Sequence, residues 1–268
     1  MSNDLIVFVL EIGTGSIKLL AGYELNSRPV VLHIMQSDYD HIIAQEKLID
    51  PTKTAQMIKK IIRDMEIHLN QKCHALQVII PPIHLEVFHG EKTTNTIDPL
   101  GVIHSIDINN LHTLFQKEFV GNNVTQAAIV PMTYQIDGDK YSLNPPIGEQ
   151  TSNIQLQAYV QYVHTGFFQD VVRMMESVGI RVKRYILDAQ GIADIIETQY
   201  KDFVSTYMLI DHGANQTYLN LISQHKLIRS EVIDTGAEQL TAILANRYGI
   251  SIQDARRLKE TYGYETRS

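Results

Sequence analysis

The stretch that decides the fold is Phe8–Glu24, FVLEIGTGSIKLLAGYE. An apolar run, Leu5 to Leu10, stops at an acid, Glu11. Gly13, Thr14, Gly15 and Ser16 follow, and a second apolar run from Ile17 to Tyr23 begins at once. Short apolar runs bounded by turn residues read as buried strands. The chain therefore leaves a strand, turns tightly on an acid and two glycines, and comes straight back. A third strand, Pro29–Met35, follows the turn at Asn26-Ser27. Asp50 then caps a helix with Pro51 at its first position. The carboxylate accepts from free backbone donors there, and proline lacks a donor the helix does not use. Met57, Ile58, Ile61, Ile62 and Met65 give that helix one apolar face as far as Asn70, and Leu76–Ile80 is the next strand.

The decisive pattern occurs twice. VLEIGTGSIKL (Val9–Leu19) and LIDHGANQTYL (Leu209–Leu219) each run strand, acid, any residue, glycine, three residues, strand. Glu11 and Asp211 stand 200 positions apart. The second copy also opens three strands and a helix: Tyr207–Ile210, Thr217–Ser223, Lys226–Ile233, then Gly236–Tyr248 with Gly249 as its stop. A last helix, capped by Ser251, runs to Tyr262. A repeated strand-strand-strand-helix unit predicts two similar halves.

Pro81-Pro82 interrupts the first half, because two prolines do not fit a central strand. From there to Val163 a smaller β-α-β-β unit is expected: strand His84–Phe88, a helix Ile106–Phe119 capped by Asp107, and strands Thr125–Gln135 and Ile154–Val163. Asp137–Thr151, with two prolines and two glycines, reads as a loop. The first pattern then resumes. A helix capped by Thr165 ends at Gly179, Arg181–Ile186 is a strand, and Asp188 starts a helix to Tyr200. The expected organisation is α/β. Residues 1–80 and 164–200 form one subdomain, 81–163 an inserted small domain, and 201–268 a second subdomain.

Composition narrows the class. The chain has 268 residues, 44% hydrophobic and 20% charged, which suits a globular protein with a sizeable core. A net charge of −7 argues against nucleic acid or an anionic membrane as a general partner. The single cysteine, Cys73, excludes a disulfide framework and fits a reducing cytosol. No apolar run has the length of a membrane span. The N-terminus, with Asp4 and no basic flank, is a poor signal peptide. The eleven histidines are scattered; His84 and His89 lie close in sequence without a companion ligand at metal spacing.

The chemistry of the two turns follows from their residue types. Glycine lets main-chain donors approach a ligand closely and take up backbone shapes that other residues resist. Successive backbone N–H groups in a tight turn form an anion-binding concavity. A carboxylate beside it repels bare phosphate but suits a Mg²⁺ ion held through water, since magnesium favours one or two carboxylates plus phosphate oxygens. Thr14 and Ser16 add hydroxyls and Lys18 a cation. Two such turns facing each other would clamp a nucleotide's phosphates. The Walker pattern is absent, and the dinucleotide fingerprint fails because the glycine turn leads into a strand. An ordinary hairpin, with glycines serving only the turn, is the plainer alternative for either copy alone. Asp188 and Gln190 are candidates for positioning a water; Asp188 also reads as a simple helix cap.

With these residues in place, the chain resembles the actin-like ATPase superfamily, a duplicated ribonuclease H-like fold, and most closely the FtsA family of bacterial cell division. Glu11–Lys18 resembles its first phosphate loop and Asp211–Thr217 its second. VPMTYQIDGDKYSLNPPIGEQTSNIQLQAYV (130–160) is similar to a segment of its inserted domain, and GISIQDARRLKETYG (249–263) to its adenosine-side helix. The resemblance implies ATP and Mg²⁺ between the halves. Glu11, Gly13, Thr14, Gly15, Ser16, Lys18, Asp211, Gly213, Ala214, Asn215, Gly236, Ala237 and Lys259 would be the cofactor contacts, with Glu11 and Asp211 holding Mg²⁺ through water. It implies weak ATPase activity at most, self-assembly into filaments or dimers, and tethering of the FtsZ ring to the inner face of the cell membrane. Later division proteins would bind the inserted domain.

The departures are specific. Glu11 stands where the family has Asp, Ala214 and Asn215 replace glycines, Gly236-Ala237 replaces a glycine pair, and Arg256 stands in place of Glu. The sequence stops after the second β-β-β-α and one helix, so a trimmed form or a naturally shortened relative is expected, lacking the last subdomain, the FtsZ-binding surface and the membrane helix, with weak nucleotide binding. A scaffold similar to PilM of pilus assembly is the alternative, and a sugar- or acetate-kinase-type phosphotransferase a third reading. A kinase needs a general base near a substrate hydroxyl, and the inserted region offers no placed Asp.

Overall fold

The computed structural model describes residues 6–25, 28–39, 41–44, 46–116, 123–199 and 205–263. In chain order the elements are β1 (Val7–Ile12), β2 (Ser16–Leu25), β3 (Arg28–Asp38), β4 (Ile43–Ala44), β5 (Lys47–Leu48), α1 (Pro51–Leu69), β6 (Ala75–Ile80), β7 (Glu86–Asn95), α2 (Ser105–Gln116), β8 (Val124–Ile136), β9 (Lys140–Ser142), β10 (Asn153–His164), α3 (Thr165–Val178), β11 (Arg181–Leu187), α4 (Asp188–Gln199), β12 (Thr206–His212), β13 (Thr217–Ser223), β14 (Lys226–Ile233), α5 (Ala237–Tyr248) and α6 (Ile252–Tyr262).

The strands form three principal sheets. The first has the order β11-β6-β1-β2-β3, with β1, β2 and β3 antiparallel in series and β6 and β11 parallel to β1. The second is antiparallel, β7-β10-β8-β9, and the third is the antiparallel meander β12-β13-β14. Alternate residues of β1 and β2 (Phe8, Leu10 and Ile12; Ile17, Leu19 and Ala21) are buried, as the period of two requires. They share a core with Ile58, Ile61, Ile62 and Met65 of α1 and Phe167, Val171, Met174 and Met175 of α3. A separate core sits in the inserted segment, where Ile108, Leu111 and Phe115 of α2 pack on Tyr134, Leu156 and Val160.

Local chemistry explains the element ends. Asp50 accepts from the Lys53 amide at 2.9 Å, with Pro51 at the first helical position. Asn70 and Gly179, both left-handed, close α1 and α3. Cys73 is buried in the main core, and its thiol is pushed up to about 12 by that burial and by nearby Glu66.

Several expectations need correction. Asp107 does not cap α2 from its start; it sits in the first turn, buried, and accepts from the amides of His104 and Ile97 at 2.8 and 3.0 Å. The predicted extension of that helix to Phe119 lies outside the described residues. The cap of α3 is His164, whose Nδ1 accepts from the Phe167 amide, one residue before Thr165. The stretch expected to start at His84 becomes a ten-residue edge strand, β7, because it pairs along β10. Asp137–Thr151 is not all loop: Lys140–Ser142 pairs with the end of β8. No helix among the described residues is long and apolar enough to cross a membrane.

The repeat is exact in register and unequal in cover. Glu11 faces Lys18 across β1–β2, and Asp211 faces Tyr218 across β12–β13. Yet Phe8 and Leu10 are 4% and 0% exposed, while their counterparts 200 positions on, Met208 and Ile210, are 60% and 61% exposed. In the first half β6 pairs with the outer edge of β1, and the core that buries Phe8 and Leu10 includes α1 and α3. Among the described residues no strand pairs with the outer edge of β12.

Candidate functional site

The parallel strands β1, β6 and β11 all end at one side of the first sheet. In open α/β sheets, ligands bind outside these carboxyl ends. A cleft of about 220 Å³ lies there, lined by both acid-glycine turns, by Ile79-Ile80-Pro81 at the end of β6, and by Asp188, Tyr218 and His212.

The two turns are built alike. The Gly13 amide donates to the Ser16 carbonyl at 3.0 Å, and the Gly213 amide to the Gln216 carbonyl at 2.9 Å. None of Gly13, Gly15 or Gly213 has a left-handed backbone, so glycine is needed for space alone. A Cβ on Gly15 would stand 2.5 Å from the Ala214 Cβ, and one on Gly213 would stand 2.9 Å from the Gln216 carbonyl oxygen. The turns also touch each other. Asn215 donates its side-chain amide to the Thr14 carbonyl at 3.1 Å and its backbone amide to the Thr14 hydroxyl at 3.4 Å. These contacts join the two halves at the floor of the cleft.

The charges are arranged around that floor. Lys18 Nζ donates to both oxygens of Glu11, at 3.0 and 3.2 Å. Asp211 titrates above the ordinary carboxylate range, first through burial and then through Glu11. Asp188 is pushed up to about 8, chiefly by burial and then by the charge of Asp211, against a 2.5 Å hydrogen bond from the Ala189 amide; Glu11 adds to the rise. Tyr218 is pushed up by burial and by Asp188 and Asp211, and its hydroxyl donates to Gln216 Oε1 at 2.9 Å. Three carboxylates and one ammonium share a small space, and Asp188 and Asp211 hold protons more tightly as a result. That is the electrostatics of a site suited to an added cation. Among the described residues no three acidic, histidine or cysteine side chains stand close enough to hold a metal directly. Magnesium usually keeps several waters and binds through one or two carboxylates, and Glu11 and Asp211 both line the cleft.

Glu11, Gly13, Thr14, Gly15, Ser16, Lys18, Asp188, Asp211, Gly213 and Ala214 all line this cleft. The other candidates do not. Gln190 is nearly fully buried, and its amide joins three parts of the chain. Its Nε2 donates to Asp194 at 2.7 Å and to the His225 carbonyl, while its Oε1 accepts from Gln161 and from the Leu227 amide at 2.8 Å. Gln190 is therefore a joint between α4, β10 and β14, not a group aimed at water in the cleft. Gly236 and Ala237 brace the second turn: the Ala237 and Glu238 amides donate to the carbonyls of Gly213 and Ala214 at 3.0 and 2.9 Å. A Cβ on Gly236 would stand 2.5 Å from the Ala214 carbonyl oxygen. Lys259 Nζ donates to the Ala237 carbonyl at 3.0 Å and the Thr241 hydroxyl at 2.8 Å, fastening α6 to α5. Arg256 pairs with Glu238 at 2.9 Å. The sequence reading missed His212, Tyr218 and the Ile79–Pro81 wall. Tyr218 was within reach, because it sits opposite Asp211 as Lys18 sits opposite Glu11.

Comparison with known proteins is consistent with this architecture. No protein-family model matches the chain. It is similar to the cell division protein FtsA of Buchnera aphidicola subsp. Baizongia pistaciae (strain Bp), at 23% identity, covering 94% of this chain and 62% of that protein. Staphylococcus epidermidis FtsA is 20% identical, over 95% of this chain and 54% of that one. The chain thus spans little more than half the length of these relatives. Among solved structures, the PilM-PilN type IV pilus biogenesis complex aligns with a TM-score of 0.60 and 16% identity, covering 96% of this chain and 70% of that one. The ethanolamine utilization protein EutJ of Carboxydothermus hydrogenoformans aligns at 0.54 and 12%, covering 96% and 62%. The fold is the actin-like ATPase fold.

Proposed function

We propose that this chain is the nucleotide-holding part of an actin-like scaffold, in the manner of FtsA, and that ATP with Mg²⁺ occupies the cleft between the two turns. The observation that carries this reading is the meeting of two equivalent turns, 200 positions apart, on one floor with Glu11, Asp188 and Asp211 around it. Backbone amides of the turns, the Thr14 and Ser16 hydroxyls and Lys18 would take the phosphates. Glu11 and Asp211 would hold the hydrated Mg²⁺, which neutralises phosphate charge when bound. Lys18 would then exchange Glu11 for phosphate oxygen. Asp188, which lines the same cleft, would orient a water. Any hydrolysis would be slow, since Gln190 is committed elsewhere.

The similarity to FtsA over most of the chain favours a division role: self-assembly, a link between the FtsZ ring and the inner membrane face, and recruitment of later division proteins by the inserted domain at 81–163. The alignment with PilM favours a second reading, a pilus-assembly scaffold that binds a short segment of a membrane partner. The kinase reading has no residue to support it beyond Asp188.

A fluorescent ATP analogue titrated with and without Mg²⁺ tests the cleft, with Gly13→Val and Asp211→Ala as variants. The expected result is Mg²⁺-dependent binding that both variants weaken at least tenfold, the loss of one or two charge-assisted hydrogen bonds worth about 1.5–3 kcal/mol each. Equal affinity in all three proteins would refute the reading. Co-sedimentation with FtsZ, against capture of a pilus membrane partner's cytoplasmic peptide, separates the two scaffold roles.

A further inference from the structure

The opposite end of the first sheet carries a second concavity. At the amino ends of β1, β6 and β11, a groove of about 310 Å³ is lined by Ile6, Phe8, Lys72, His74, Arg181 and Lys183, among others. The protein's net charge is −7, so a run of basic side chains at one end is a local reversal of sign. Lys72 is paired with Glu66 at 2.8 Å, yet its side chain remains 73% exposed. Arg181 and Lys183 are exposed and carry no ion-pair partner among the described residues.

Two ordinary causes account for part of this. Cations on an edge strand deter strand addition, and β11 is an edge with a bulge between Val182 and Arg184. Cations beyond helix C-termini offset the helix dipole, and α1 and α3 both end nearby. Neither cause requires the charges to converge. Here they come from two separate segments, the turn between α1 and β6 and the start of β11, and they line one groove with a floor of half-buried Ile6 and Ala75.

We infer that this groove is a docking site for an acidic segment of a partner protein with one apolar residue between its carboxylates. The charge of the rest of the chain selects that occupant. A membrane or nucleic acid presents an extended anionic surface, and an acidic protein is repelled by one over most of its face. A narrow acidic segment meets only the basic rim, and its apolar residue reaches the floor. The site is at the opposite end of the parallel strands from the phosphate cleft, and the inference does not depend on nucleotide binding.

The test uses the 268-residue chain and a labelled twelve-residue peptide of Asp and Glu flanking one Leu, with an Asn/Gln counterpart as control, followed by fluorescence anisotropy. Phosphatidylglycerol vesicles form a separate arm. The expected result is binding of the acidic peptide alone, weakened by salt and reduced about tenfold by Arg181→Glu with Lys183→Glu, as loss of two rim charges predicts. The melting midpoint of that variant should match the parent. If it does not, Lys183→Gln is used, with a smaller loss of the same sign expected. Equal binding of the two peptides overturns the inference. So does acidic-peptide binding that ignores the charge changes, or binding to vesicles without binding to peptide.

Discussion

Asp188→Asn offers the sharpest check on the electrostatics of the cleft. The carboxyl is raised from 3.8 to about 8, mainly by burial and then by Asp211. An acid with a raised folded-state pKa destabilises the fold as pH rises. Below about pH 4 both folded and unfolded chains hold the proton and there is no penalty. Between about 4 and 8 the unfolded chain ionises while the folded one does not, so stability falls steadily; above about 8 the penalty is constant. At about 1.4 kcal/mol per pH unit, the span sets a ceiling of about 6 kcal/mol. Asp188 borders an open cleft and is only half-buried, and solvent screening brings the expected penalty down to about 1–3 kcal/mol. Asparagine keeps the oxygen that accepts from the Ala189 amide and removes the charge. Urea denaturation from pH 5 to 9, without divalent cations, should show the variant gaining on the parent as pH rises, by about 1–3 kcal/mol at pH 8. A difference between the two proteins that does not change with pH would show that Asp188 is not held neutral, and the account of the cleft would fail.

Gly15→Val should part the two turns, because even a Cβ meets Ala214 at 2.5 Å. The expected cost is about 1–3 kcal/mol of stability and at least tenfold in nucleotide affinity, read by denaturation and titration on one sample. Gly236→Ala should lift α5 from the carbonyls of the second turn, with a similar loss of stability and weaker binding. Gln190→Ala leaves the Leu227 amide without its acceptor, while Gln161 Nε2 keeps the Leu227 carbonyl at 3.2 Å; it should cost about 1–3 kcal/mol while changing nucleotide affinity little. A large loss of hydrolysis at unchanged stability would instead return Gln190 to a catalytic role. Lys259→Met should loosen α6 from α5 with little effect on the phosphate contacts, measured as earlier hydrogen exchange in 252–262.

The two-half design was legible in the sequence because it rests on local facts. An acid, a glycine and a return to apolar alternation are properties of a few neighbouring residues, and the 200-position repeat needs only that pattern seen twice. The helix starting at Asp50-Pro51 and the stops at Asn70, Gly179 and Gly249 were legible for the same reason: caps and left-handed ends are satisfied within a turn of backbone. Tertiary structure alone decided how long-range partners use shared chemistry. Nothing near Gln190 in sequence announces that its amide will bridge β10 and β14, and nothing near Lys259 announces the Ala237 carbonyl. The rise of Asp188 depends on Asp211 and Glu11, which become its neighbours only when the sheets close. Backbone pattern is a short-range property of the chain, while burial, charge coupling and hydrogen-bond choice depend on residues far away along it.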